Sequence, residues 1–205
     1  MVWEFSTHRY PTLPSTCYET VKTQKKNKPH FVAYVASSID GRIALNTLHQ
    51  PDWTSSEDWK FFQRELGNAD AVVVGRNTFK TVEKRLQKRN TFVLTSKVKT
   101  TLAKDSVVYV NPKTASLSKL LSEYKSVAVV GGASVYQTML DKDLLDELYV
   151  TIEPLVFGRG RPMFEGGLKN HVFTLVSQKK LNSRGSLLLR YRIAKNKKLK
   201  NSKKS

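Results

Sequence analysis

The sequence predicts a three-layer α/β fold: a mainly parallel sheet, helices on both of its faces, and antiparallel strands at the C-terminal end. Three observations predict it. Short apolar segments alternate along the chain with capped or amphipathic ones, the β-α-β order that builds parallel sheets. Two of the apolar segments run directly into glycine and then into a helix start. Two further segments, at 172–179 and 186–193, flank a turn-like run of Asn182, Ser183, Arg184 and Gly185, as an antiparallel pair does.

Taken in order, residues 31–37 are apolar without strict alternation, the pattern of a strand buried on both faces. Thr54, Ser55, Ser56, Glu57 and Asp58 then open a helix running to about Leu66. Hydroxyls there accept from unpaired N–H groups, and the acids suit the positive end. Strands are expected at 70–74, 91–95 and 107–110, followed by a helix over 115–124. A strand at 127–130 leads into a helix ending near Leu140, and a strand at 148–153 follows. Residues 30–194 make one domain in this reading. Residues 1–29, with Pro11, Pro14 and Pro29, form an irregular extension, and residues 195–205 a disordered lysine-rich tail.

Composition narrows the function classes. A chain of 205 residues with 40% hydrophobic content is long enough for one proper core. Cys17 is the single cysteine, so neither an intramolecular disulfide nor a cysteine metal site is expected. His8, His30, His49 and His171 show no ligand spacing, so no metal is expected. No apolar run approaches the ~18–20 residues of a membrane span. Glu4, His8 and Arg9 interrupt the N-terminal apolar residues, which speaks against a signal core and for a cytoplasmic protein. The net charge of +18 suits anionic ligands. The lysine tail has no interleaved aromatics to stack bases, so any nucleic-acid contact by it would be non-specific.

The glycine junctions point to a dinucleotide. Residues 127–136 read Val-Ala-Val-Val-Gly-Gly-Ala-Ser-Val-Tyr, a strand entering paired glycines and then a helix. A helix start offers unpaired N–H groups and partial positive charge, and Gly131 and Gly132 let a pyrophosphate approach. Ala133, Ser134 and Val135 open that helix. Residues 71–79 repeat the build, with Gly75 followed by Arg76, Asn77 and Thr78. At the next strand end, Thr95, Ser96 and Lys97 offer hydroxyls and a cation suited to a ribose phosphate. An ordinary strand-to-helix turn, with a solvated Lys97, is the alternative.

Residues 75–79, 94–97 and 130–136 resemble the dihydrofolate reductases. Residues 37–44, 146–149 and 153–164 more specifically resemble the reductase domain of the bacterial riboflavin-biosynthesis deaminase-reductase. The likeness covers roughly residues 30–193 with its motifs in the right order. It implies a dihydrofolate reductase-like fold and NADPH as cofactor, with Arg76, Ser96 and Lys97 on the adenosine 2′-phosphate. It also implies a cis bond between Gly131 and Gly132, a nicotinamide stacked near Tyr34, Val35 and Ala36, and pairing into a homodimer. Trp53, Asp58 and Phe62 repeat the spacing of a pterin-binding acid and its apolar neighbours, and Thr151 matches the threonine bonded to that acid. Asp58 or Asp40 would then supply a proton, with Ser38 beside Asp40. Arg159 and Arg161, between glycines, would hold a substrate phosphate. Three neutral alternatives stand beside these roles: Asp40 as a turn residue, Asp58 as a helix-start acid, and the two arginines as surface charges.

The chain departs from the riboflavin-type pattern in three places: Tyr34 stands where a lysine is usual, Val130 where a glutamate is usual, and residues 80–84 (Lys-Thr-Val-Glu-Lys) replace an Asp-containing loop. No zinc-deaminase domain is expected within these 205 residues, since residues 1–29 are too few to form one. The functional expectation is an NADPH-dependent reductase, riboflavin-type first: a ribosylaminopyrimidine 5′-phosphate reduced to the ribitylamino form. The alternatives are a dihydrofolate or pterin reductase, and a non-catalytic nucleotide- or nucleic-acid-binding protein on the same scaffold.

Overall fold

A computed structural model describes residues 28–47, 49–166 and 170–194. The expected extension and the lysine tail lie outside those residues, apart from Lys28 and Pro29. Eleven strands and four helices follow in chain order. They are β1 (His30–Ser38), β2 (Arg42–Ala44), α1 (Ser56–Asn68), β3 (Ala71–Gly75), α2 (Arg76–Leu86), β4 (Thr91–Leu94), β5 (Thr101–Lys104) and β6 (Val107–Val110). Then come α3 (Leu117–Leu120), β7 (Ser126–Val129), α4 (Ala133–Asp141), β8 (Glu147–Glu153), β9 (Arg161–Pro162), β10 (Phe173–Lys180) and β11 (Leu187–Ile193).

Nine strands form one sheet in the order β10-β11-β8-β1-β7-β3-β4-β6-β5, while β2 and β9 pair separately. The central neighbours from β8 to β6 are parallel. β11 joins β8 antiparallel, and β10 joins β11 antiparallel, as the C-terminal pair predicts. The other edge also carries an antiparallel strand, β5. β5 is exposed along its length and turns into β6 through Asp105, whose φ of 52° is left-handed. An exposed four-residue strand leaves no apolar period, which is why the sequence shows only β6 there. The helix expected over 115–124 is a single turn, α3, whose segment buries Leu117 and Leu121 fully and packs Ala115, Leu120 and Tyr124 against the same core.

The central strands are apolar on both faces because helices cover both. One cluster, including Phe31, Val129, Met139 and Leu145, packs the α3 and α4 side. A second, including Val72, Val74, Phe79 and Leu86, packs beneath α1 and α2. The C-terminal ends of β1, β3, β4 and β7 therefore open together at one edge of the sheet, where ligands bind in parallel α/β folds.

Side chains link distant segments at both ends of the sheet. Asp70 accepts from the backbone N–H groups of Lys125 and Ser126 at 3.0 and 2.9 Å, fixing the start of β7 beside β3. Glu147 on β8 is buried, and Arg190 on β11 reaches it with two hydrogen bonds of 2.8 and 3.0 Å. A buried carboxylate needs such a paired, planar partner.

Candidate active site

A cavity of about 440 Å³ lies across the carboxyl ends of these strands, within the usual range for small-molecule and cofactor sites. Gly75, Arg76, Asn77, Thr78, Thr95, Ser96, Lys97, Gly131, Gly132, Ala133 and Ser134 all line it. So do Ala36, Asp58, Phe62, Thr151 and Arg161. Residues separated by more than a hundred positions in sequence thus share one wall.

The two glycine junctions meet directly: the Gly75 N–H donates to the Gly131 carbonyl at 2.7 Å. Gly75 caps α2 and Gly132 caps α4, and neither cap makes a side-chain hydrogen bond. Two helix starts therefore present backbone N–H groups to one cavity, a donor set suited to phosphates. The Gly131–Gly132 bond is cis. A Cβ on Gly75 would stand 3.0 Å from Val135 Cγ2, so these turns pack too closely for a side chain. Val135 itself is buried behind the glycines rather than on the cavity wall.

Asp58 sits on the first turn of α1. Ser55 caps that helix, its hydroxyl accepting from the Asp58 N–H at 3.3 Å. Asp58 is 9% exposed. Burial raises its pKa above the ordinary aspartate value, and the nearby Glu153 charge adds to the rise. Hydrogen bonds from Thr151 and Thr54 pull the other way. Beyond it, Tyr34, Phe61, Phe62 and Tyr149 form aromatic contacts, with Tyr34 stacked on Tyr149 at 5.4 Å. Burial pushes the Tyr34 phenol pKa upward, so this wall is uncharged. The buried Tyr136 hydroxyl donates to the Tyr34 carbonyl at 2.6 Å, tying α4 to the end of β1.

Four of the expected site residues lie elsewhere. Val135 is the first. Ser38, Asp40 and Arg159 also fall outside the cavity wall among the described residues. Ser38 is buried and donates to the Asp40 carboxylate at 2.5 Å. Asp40 also accepts from the N–H groups of Phe157 and Gly158 at 3.1 and 2.9 Å. The Ser38 hydroxyl and those two N–H groups hold its carboxyl below the usual aspartate range. A carboxylate so engaged is a poor proton donor, and its bonds join the turn after β1 to the backbone at 157 and 158. Arg159 is exposed, whereas Arg161 reaches the wall and pairs with Glu165 at 2.5 Å.

Trp53, singled out by its spacing to Asp58 and Phe62, lines the cavity. Two wall residues had no sequence signal: His49, from the connection between β2 and α1, and Arg85, from α2. Arg85 stands 4.7 Å over the Trp59 ring, brought there by non-helical backbone at Val82 that bends α2. No periodicity marks such a bend in advance. Among the described residues, no group of histidine, cysteine, aspartate and glutamate side chains is arranged to hold a metal ion. No described helix is long and apolar enough to cross a membrane.

Residues 29–188 match the family model of the RibD C-terminal domain. The chain belongs to the RibD C-terminal domain family. It is 34% identical over 122 residues to "Dihydrofolate reductase type 9" of Escherichia coli, covering 57% of this chain and 66% of that protein. RibD of Acinetobacter baumannii superposes with a TM-score of 0.66 at 18% identity, covering 82% of this chain and 58% of that one. The dihydrofolate reductase of Enterococcus faecalis, complexed with NADP(H) and RAB-propyl, superposes with a TM-score of 0.55 at 23% identity. That match covers 80% of this chain and 96% of the other. The fold is dihydrofolate reductase-like, and this RibD C-terminal domain protein is an oxidoreductase of the reductase type.

Gly131 gives a direct check on the packing of the wall. Its φ is 94°, and a Cβ there would lie 2.9 Å from the Tyr136 hydroxyl. Gly131→Ala should displace that hydroxyl from the Tyr34 carbonyl and destabilise the fold by ~1–3 kcal/mol. A thermal melt unchanged from that of the wild-type protein would contradict this packing.

Proposed function

We propose that the protein is an NADPH-dependent reductase acting on a substrate with an aminopyrimidine-type ring, with dihydrofolate or a related pterin as the first candidate. The observation that carries the reading is a buried carboxyl, Asp58, on the wall of a cavity that the starts of α2 and α4 and Arg76, Ser96 and Lys97 also line. A carboxylate pairs well with two adjacent N–H donors on a planar ring, because both of its oxygens accept at once. The neighbouring aromatic wall suits the faces of such a ring.

The cofactor end fits NADPH by its donor chemistry. The uncapped starts of α2 and α4 suit a pyrophosphate. Arg76, Ser96 and Lys97, together on the wall, suit the adenosine 2′-phosphate. Bound NADPH supplies hydride from its nicotinamide. The protein's own share is orientation, exclusion of water and a proton. Tyr34 to Ala36 at the end of β1 orient the reacting ring, and the tie from Tyr136 keeps that strand end in place. Asp58, ionised while both its oxygens accept from the ring, takes up a proton from water more readily than an exposed aspartate and relays it directly or through water.

The riboflavin-pathway reading stands second, supported by membership of the RibD C-terminal domain family and by Arg161 on the cavity wall. A ribosylaminopyrimidine carries a phosphate that Arg161 would meet. Its weakness lies at Tyr34 and Val130, where the usual lysine and glutamate are missing.

Oxidation of NADPH followed by absorbance with each substrate separates the two readings, and the proposal expects turnover with dihydrofolate. Turnover only with the ribosylaminopyrimidine phosphate would reverse the order, and turnover with neither would end both. Arg76→Ala should weaken NADPH by roughly 10- to 100-fold, the loss of one charge-assisted contact, and leave NADH nearly unchanged. Equal losses for both cofactors in calorimetry would contradict the phosphate assignment.

Asp58→Asn should lower turnover by roughly 10²–10⁴-fold. It should also stabilise the protein at neutral pH. The folded-state pKa of Asp58 is raised, so its ionised form costs stability at pH above that value. The cost fades as pH falls towards the unfolded value of 3.8. Thermal melts of the two proteins should therefore differ at pH 7 and converge on acidification. A variant less stable than wild type at pH 7 would contradict a desolvated carboxyl.

A further inference from the structure

We infer that Asp40, outside the cavity, is a positioning residue that sets the cavity wall through Phe157. The turn after β1 and the connection between β8 and β9 are 117 residues apart in sequence, and the Asp40 carboxylate joins them. One oxygen accepts from the Ser38 hydroxyl and the Phe157 N–H, and the other from the Gly158 N–H. Hydrogen bonds to an ionised acceptor are stronger and shorter than neutral ones, so the backbone at 157 and 158 has a defined place.

The Phe157 ring transmits that placement. It packs edge-on against Trp53, with ring centroids 5.0 Å apart at 73°, and against His49 at 5.8 Å and 62°. Trp53 and His49 both line the cavity, whereas Phe157 and Asp40 do not. The Trp53 Nε1 is buried and has no hydrogen-bond partner among the described residues, so ring packing rather than a polar contact orients that side chain. His49 has a local anchor besides, its Nδ1 accepting from the Leu45 N–H at 3.0 Å. Trp53 is thus the wall residue whose position depends most on Phe157.

Asparagine at position 40 keeps the shape of the side chain but turns one acceptor into a donor facing a backbone N–H. Asp40→Asn should therefore release Phe157 without removing bulk. The test is the ¹⁹F spectrum of protein carrying fluorotryptophan, with the Trp53 resonance assigned by Trp53→Phe. Asp40→Asn and Phe157→Leu should each shift the Trp53 resonance and leave that of Trp59 in place. The double variant should match Phe157→Leu alone.

A kinetic arm rests on the proposed reductase activity. There each single variant should lose on the order of 10- to 100-fold in kcat/KM for dihydrofolate, mostly through KM, with NADPH binding unchanged. The double variant should lose no more than Phe157→Leu. An unmoved Trp53 resonance in Asp40→Asn, or losses that multiply in the double variant, would overturn the inference. A wild-type protein without turnover would end the functional reading, while the fluorine spectra would still decide the role of Asp40. Should Asp40→Asn fail to fold, Ser38→Ala removes one of the three bonds and should shift the Trp53 resonance in the same direction. No shift in that variant would count against the inference.

Discussion

The start of α1 is held by one buried carboxylate, and the Asp58 end of the cavity depends on it. Glu153, at the end of β8, accepts from the Ser55 N–H at 2.8 Å and from the Ser186 hydroxyl. It is 4% exposed, and Asn182 completes the local network by donating to Ser186 at 3.0 Å. A helix cap, a parallel strand and an antiparallel strand therefore converge on a single side chain. Because Ser55 is fixed, Asp58 is fixed one turn later, beside Thr151 two residues before Glu153. The same negative charge helps to keep Asp58 reluctant to ionise. One constraint thus helps to place the cavity carboxyl and adds to the burial that raises its pKa.

The site divides into two chemistries joined at the end of β1. One part is backbone and cation: glycine turns, uncapped helix starts and the Arg76, Ser96 and Lys97 group. The other is a carboxyl in an aromatic setting. Anionic ligands meet a chain with net charge +18, which favours their encounter without selecting among them. Selection has to come from close contacts, and the replacements at Tyr34 and Val130 change those contacts where the ring would lie. A large apolar aromatic in place of a lysine favours stacking over ion pairing there.

Much of this architecture was legible in the sequence because it rests on local signals. The glycine junctions at 75 and 131–132, the capped start of α1 and the C-terminal strand pair each carry their chemistry within a few residues. The parallel order followed from their alternation. What escaped depends on contacts between distant segments. β2 and β9 have three and two residues and exist only as each other's partner. Ser38 and Asp40 lie in the right segment for a catalytic role, yet their bonds go to one another and to backbone far along the chain. Val135 belongs to a binding motif but faces the core. The wall contributed by His49 and Arg85 needed a loop path and a helix bend that no spacing announces.

The central claim is that one cavity brings a phosphate-binding end and a proton-holding carboxyl to the two ends of one cofactor. A crystal structure of the protein with NADPH tests it most directly. The account predicts the adenosine phosphate against Arg76, Ser96 and Lys97, the pyrophosphate at the starts of α2 and α4, and the nicotinamide beside Ala36 on the Asp58 side of the cavity. A cofactor bound in the reverse direction, or one whose nicotinamide lies away from Asp58, would contradict it.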